Sequence, residues 1–251
     1  MKFKIDAGFA GFFYDALLCV ALYLLCVSVP CFIPDFSQTD FTGILRWVFL
    51  FPIGWVLLHK GMRPNLGKWK TFLICLPLVA IGLGNMISLL TTKEVVAPAA
   101  TSLLWSGLLT LGTAITEEFV FRFGALEALQ KTSWKGLSIP ISAAIFGLFH
   151  IFALLAGSPI LPTLAQVGYT FFLGLILGVA YQYGGIFASI CIHLLFNFLQ
   201  TDLYLACGGG TWDMPFYLWN IGLAIFALGY AVLLFILMRR GKPQENPTPI
   251  E

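Results

Sequence analysis

Val95–Ile115, VVAPAATSLLWSGLLTLGTAI, carries no charge, and Thr116–Glu117–Glu118–Phe119–Val120–Phe121–Arg122 follows it directly. A helix that crosses a bilayer needs about 20 mostly apolar residues, and this run supplies them. Ionisable groups at membrane depth are costly, and by default they mark a functional site. On a helix Glu118 and Arg122 stand four residues apart and can pair along one face. Glu117 points about 100° away from Glu118. One carboxylate can therefore be structural while the other faces a cavity. The plainer reading is a helix end that breaks into a charged cytoplasmic loop.

Seven more apolar runs flank this one. With 98–116, the expected spans are 11–33, 43–59, 71–91, 137–156, 164–183, 185–204 and 216–238. The composition agrees: 59% of the 251 residues are hydrophobic and 10% are charged. A soluble domain has about 45–50% apolar and about 25% charged residues. With 24 Phe and a net charge of +2, the chain fits neither a disordered segment nor a nucleic-acid binder. The six cysteines form no CxxC pair, and they read as small apolar residues rather than a disulfide or zinc framework. No cleavable signal peptide, tandem repeat or soluble domain stands out. The expected fold is all-α: a single integral membrane domain over 1–251, with about eight transmembrane helices.

Lysine and arginine placement gives an orientation. Eight spans put both termini on one side, together with Lys2, Lys4, Lys60, Arg63, Lys68, Lys70, Lys131, Lys135, Arg239, Arg240 and Lys242. The opposite loops hold Lys93 with Asp35, Asp40, Glu94, Asp202 and Asp213. Arg46 and Arg122 lie in or near spans and are set aside. Both termini are expected to be cytoplasmic, in a multi-pass protein of the cell membrane.

Two of the three histidines lie inside apolar runs, in Phe146–Gly147–Leu148–Phe149–His150 and in His193–Leu194–Leu195–Phe196–Asn197. Phe146 shares a helix face with His150, and His193 shares one with Asn197. A lone imidazole in such a run is more often a core residue bonded to a carbonyl. A carboxylate, two imidazoles and an amide on three spans are instead the parts of a water-activating hydrolytic site. His59, beside Lys60, reads as interfacial. Counted along the helices, His193 lies about 12 Å beyond Gly185 and His150 about 15 Å beyond Pro140, while Glu117 falls near the cytoplasmic end of its span. The stretch Val95–Gln130 reads either as one helix of about 54 Å or as a helix broken near Gly124.

Three elements, EExxxR at Glu117–Arg122, FxxxH at Phe146–His150 and HxxxN at His193–Asn197, resemble the CPBP family. This is the CAAX protease and bacteriocin-processing (Abi) family of intramembrane proteases. The resemblance covers about residues 100–200, which would form the catalytic core. It implies an endopeptidase with its active site between helices 4, 5 and 7. Glu117 would be the general base on a water, aided by His150. His193 and Asn197 would stabilise the oxyanion. Glu118, Arg122 and Phe146 would be supporting residues. Water must reach such a site, so a cavity open to the cytoplasm is expected.

No cofactor is favoured. Zinc held by His150, His193 and Glu117 or Glu118 is chemically possible, but HExxH is absent and a ligating Glu117 would no longer serve as base. The implied partners are the lipid bilayer and a membrane-associated peptide or protein, including a prenylated CAAX-type substrate. Nucleic acid is not among them, and oligomeric state is not legible. Gly174 and Gly178 are spaced for close helix contact. The alternative function is a non-catalytic membrane protein that sequesters a peptide, as in self-immunity. A proton-relaying transporter fits less well, because the chain lacks the paired broken helices that mark many of that class.

Overall fold

The structure is a computed structural model. It describes residues 38–59, 99–203 and 206–207, with isolated positions between 21 and 91 and between 222 and 236. The expected spans 11–33, 71–91 and 216–238 lie outside the described residues, as do Cys19, Cys26, Cys31 and Cys75. Cys191 and Cys207 are free thiols.

Helix α1 runs Gln38–His59. It begins five residues before the expected span. Helix α2 runs Ala100–Glu118. It continues as a π-helix over Phe119–Leu126 and then as α3, Glu127–Gln130. The helical path is therefore unbroken at Gly124, which is buried within the π-helix. A short 3-10 turn, Lys135–Leu137, leads into α4, Ser138–Phe149. A second 3-10 segment covers His150–Ala156. Helix α5 runs Ile160–Asn197, and a second π-helix, Phe198–Leu203, comes after it. Among the described residues there is no strand.

Two segments, Lys135–Leu155 and Ile160–Asn197, are helical, long and apolar enough to cross a membrane. The second is two arms. At Gly185 the backbone has φ 81° and ψ −179°, a region that glycine enters freely and other residues avoid. The chain reverses there, where the sequence places the boundary between spans 164–183 and 185–204.

Helices α1 and α2 run side by side in the same direction. Trp47 Nε1 donates to the Leu108 carbonyl at 3.1 Å, and Thr116 Oγ1 donates to the Arg46 carbonyl at 3.1 Å. The first arm of α5 packs antiparallel on α4. A Cβ at Gly174 would sit 3.0 Å from Ala143 Cα, and one at Gly178 would sit 2.9 Å from Ile139 Cγ2. The small-residue pair thus serves packing within the chain. The second arm returns beside α2. Tyr181 Oη donates to the Glu127 carboxylate, which ties the Gly185 reversal to the same end of the bundle as the Lys131–Lys135 turn.

Around a hydrophobic core the chain also buries charged side chains and exposes large apolar ones. Glu118, Arg122 and Ser189 are fully buried, while Phe51, Trp55, Leu104, Leu155 and Leu161 are exposed. Soluble chains rarely expose contiguous apolar surface on this scale. A lipid surrounding accounts for it, and helices satisfy their backbone groups there without water. Seven phenylalanines, Phe119, Phe121, Phe123, Phe146, Phe149, Phe171 and Phe172, are buried or half-buried, so they pack helices rather than face lipid. His59 is exposed at the end of α1 and stacks on Trp55.

Candidate active site

Glu118 is sealed behind the site. Its Oε2 lies 3.3 Å from Arg122 Nε, one turn along the same helix. Ser189 Oγ donates to Oε2, and His193 Nδ1 donates to Oε1 at 2.8 Å. Ser189 and His193 are themselves four residues apart on the second arm of α5, so one carboxylate binds that arm to α2. The Arg122 guanidinium also lies over the Phe146 ring, 4.7 Å from its centroid, a cation–π contact that a desolvated site strengthens.

Glu117 faces the other way, into a cavity of about 340 Å³. Phe146, His150, His193 and Asn197 line that cavity with it, and Glu118 and Arg122 do not. Glu117 Oε2 is 3.5 Å from His193 Nε2, and Oε1 is 3.6 Å from Arg46 Nη2. His193 therefore stands between the two carboxylates. His150 donates from Nδ1 to the Phe146 carbonyl at 3.0 Å, which leaves Nε2 as the acceptor of the neutral ring. The Phe146 ring meets both imidazoles edge to face, at 5.2 Å for His150 and 5.7 Å for His193. It fixes the orientation of each.

The depths of these residues agree because the helical path does not stop after Glu117. Thirteen further helical residues reach Gln130, about 20 Å at 1.5 Å per residue. Glu117 is thus well inside the bundle rather than at its end. His150 is twelve residues beyond the start of α4 at Ser138, about 18 Å.

The site also has walls outside the three motifs. Helix α1 contributes Gly43 and Arg46, and the first arm of α5 contributes Gln166, Tyr169 and Thr170. Arg46 Nη1 donates to Thr113 Oγ1 at 2.5 Å. Asp202, expected in a loop, lies in the second π-helix, accepts a bond from Thr110 Oγ1 and lines the same cavity. For Arg46 and Asp202 the sequence does carry a signal: a charge inside or beside an apolar run. On α2 the cavity face is Ser106, Thr110, Thr113 and Glu117, at spacings of four, three and four, one stripe of a helix.

The cavity does not reach the Lys131–Lys135 turn. Between Glu117 and that turn stand Phe121, Phe123, Leu126, Ile176, Leu177 and Tyr181, none more than 1% exposed. The cavity extends instead toward the start of α2, where Ser106 is half-buried. A metal does not fit well. Among the described residues no three His, Cys, Asp or Glu side chains are grouped to hold an ion, and His193 directs both ring nitrogens at carboxylates.

Fold and site together define an all-helical membrane protein with an ionisable cluster enclosed among its helices. Residues 98–199 match the family described as type II CAAX prenyl endopeptidase Rce1-like, and all three motifs lie within that stretch. Neither the curated proteins nor the solved structures yield a match.

Proposed function

We propose that the chain is an intramembrane endopeptidase that hydrolyses peptide bonds of membrane-associated substrates, CAAX-type prenylated ones included, without a metal. One observation carries this reading: Glu117, His150, His193 and Asn197, from three separate motifs, line one cavity. A water bound between Glu117 and His150 Nε2 attacks the scissile carbonyl. Glu117 takes its proton, as a positioned general base does. The oxyanion of the tetrahedral intermediate accepts hydrogen bonds from Asn197 and from His193, whose Nδ1 lies 2.8 Å from Glu118. Fixed donors of this kind, in a site that excludes bulk water, often contribute more than any other effect to lowering the acyl-transfer barrier. Collapse of the intermediate breaks the C–N bond, and the proton on Glu117 passes to the leaving amine. A carboxylate and an amine are the products.

In this reading the chain is one multi-pass domain over 1–251, with about eight spans, cytoplasmic termini and a catalytic core at 100–200. The test is cleavage by purified protein of a prenylated CAAX peptide and of unprenylated membrane peptides. Glu117→Ala, His150→Ala, His193→Ala and Asn197→Ala run beside wild type, each checked for folding. Loss of cleavage in all four supports the assignment. Cleavage by Glu117→Ala at the wild-type rate refutes it.

A further inference from the structure

We infer that Asp202 is a specificity-determining residue. At the end of the cavity away from Glu117, its carboxylate receives a lysine or arginine side chain that the substrate carries about three residues from the scissile bond. This rests on the reading of the cavity as a peptidase site, and it applies to prenylated and unprenylated substrates alike.

Asp202 lies outside the three motifs, and the winding of the chain brings it to the cavity. Asn197 closes α5, and the π-helix Phe198–Leu203 follows. In a continued α-helix, a side chain five residues on would point about 140° away from Asn197. A π turn closes between residues five apart, so Asp202 comes round to the face of Asn197, and both line the cavity. Across from it, Thr110 Oγ1 donates to the carboxylate, and Ser106, one turn earlier on α2, presents a second hydroxyl to it. These hydroxyls orient the carboxylate but do not neutralise it. Among the described residues Asp202 makes no ion pair, whereas Glu117 has Arg46 and His193 beside it. A carboxylate set among membrane helices is costly, and such groups mark the path of a substrate or an ion. The Asp202 end of the cavity is thus an anionic pole that suits a cation on the substrate.

The distance between Asp202 and Glu117 sets where that cation must lie. Thr110 and Glu117 are seven residues apart on α2, which is two turns on one face and about 10 Å. Asp202 is nine residues beyond His193 on the returning arm, so that arm too puts it about two turns from the reacting groups. An extended peptide advances about 3.3 Å per residue, and about three residues span the gap. A hydrogen bond to a charged group contributes on the order of tenfold in affinity. In a CAAX-type substrate the chain downstream of the cut ends in a carboxylate, which Asp202 would repel. The basic residue is then upstream, the side on which such termini usually carry basic residues.

The experiment uses the purified full chain and membrane peptides, prenylated and unprenylated, that differ at a single position. Each peptide carries either lysine or glutamine at one place within about four residues of the cut, on either side. Wild type is expected to favour lysine about tenfold in kcat/KM, about three residues from the scissile bond. The gain is expected in KM with kcat unchanged, as for a contact remote from the reacting bond. Asp202→Asn keeps the size and the hydroxyl partners of the side chain, and it is expected to bring the lysine-to-glutamine ratio close to one. Asp202→Lys is expected to reverse the preference, so that glutamate is favoured at the same position. If Asp202 only ties the returning arm to α2, its replacement slows all peptides alike and leaves the ratio as in wild type. That result overturns the inference, as does a wild-type ratio close to one at every position. Binding of fluorescent peptides to Glu117→Ala, read by anisotropy, separates this inference from the peptidase reading. If no peptide is cleaved, but the lysine peptide binds more tightly and Asp202→Asn in that background removes the difference, the peptidase reading fails and the subsite stands. Equal binding of the lysine and glutamine peptides overturns the subsite.

Discussion

Glu117 and Glu118 are adjacent in sequence, and the structure gives them opposite sensitivities. Glu118→Ala removes the carboxylate that faces Arg122 Nε at 3.3 Å and receives His193 Nδ1–H at 2.8 Å, with Ser189 as a third partner. Arg122 and Glu118 are both fully buried. Removing one partner of a buried ion pair costs about 3–5 kcal/mol, because the other charge is left without compensation. The lost hydrogen bonds belong to the same network, so their energies are contained in that figure rather than added to it. Glu117→Ala removes contacts of 3.5 and 3.6 Å, on a side chain that borders the cavity. Its expected cost is smaller than that of Glu118→Ala, because its contacts to His193 and Arg46 are longer than those that hold Glu118. Unfolding of detergent-solubilised protein by sodium dodecyl sulfate, monitored by tryptophan fluorescence, measures both. Arg122→Met added to Glu118→Ala removes the orphaned cation, and the double variant is expected to be more stable than Glu118→Ala alone. Equal losses for the two alanine variants would refute the division of roles. So would a double variant less stable than the sum of its parts.

Other substitutions test the parts that hold the site. Gly185→Ala forces a side chain onto a φ of 81°, a strain of about 1–2 kcal/mol, and the same unfolding assay is expected to show that loss. Phe146→Ala removes a fully buried ring that contacts Arg122 and both imidazoles; a loss of about 3–5 kcal/mol is expected, and Phe146→Leu, which keeps part of the volume, should recover stability before it recovers kcat. A zinc chelator is expected to leave peptide cleavage unchanged, since the described donors do not group around an ion; loss of cleavage that added zinc restores would contradict this.

The helices are legible in the sequence because lipid demands long apolar runs, and the reversal at Gly185 is legible because glycine punctuates one. The pairing of Glu118 with Arg122, and the divergence of Glu117 from both, come from helical periodicity alone. Depth is not legible. Nothing between Glu117 and Gln130 breaks a helix, but nothing fixes its length either, so the sequence puts Glu117 near a helix end when it lies about 20 Å short of one. Arg46 and Asp202 escape notice because a charge near the end of an apolar run suits an interface as well as a cavity. Only the pairing of α1 with α2 and the return of the second arm decide between those readings. The direction of the cavity has the same origin: it depends on which ends of four helices meet, and no single helix carries that information.

The three motifs share a feature that their spacing does not express. Helix α2 ends at Glu118 and π winding begins at Phe119; α4 ends at Phe149 and 3-10 winding begins at His150; α5 ends at Asn197 and π winding begins at Phe198. A regular α-helix keeps one face toward one neighbour along its whole length. A change of winding rotates the residues beyond it, and along α2 those before it line the cavity while those after it turn into packed core. Phe119–Leu126 does this: it is almost wholly buried although it continues the helix that carries the cavity stripe. Such segments have poorer backbone hydrogen bonding and are seldom long, so something must hold them. Ser142 Oγ donates to the Phe121 carbonyl of the first π-helix at 2.7 Å, and His150 Nδ1 donates to the Phe146 carbonyl where α4 tightens. Side chains thus satisfy backbone carbonyls where the winding is irregular, and one of them is a candidate catalytic imidazole. For His150 the bond that supports the helix also selects the tautomer the reaction needs, so its chemical and structural roles are not separable by mutation of His150 alone.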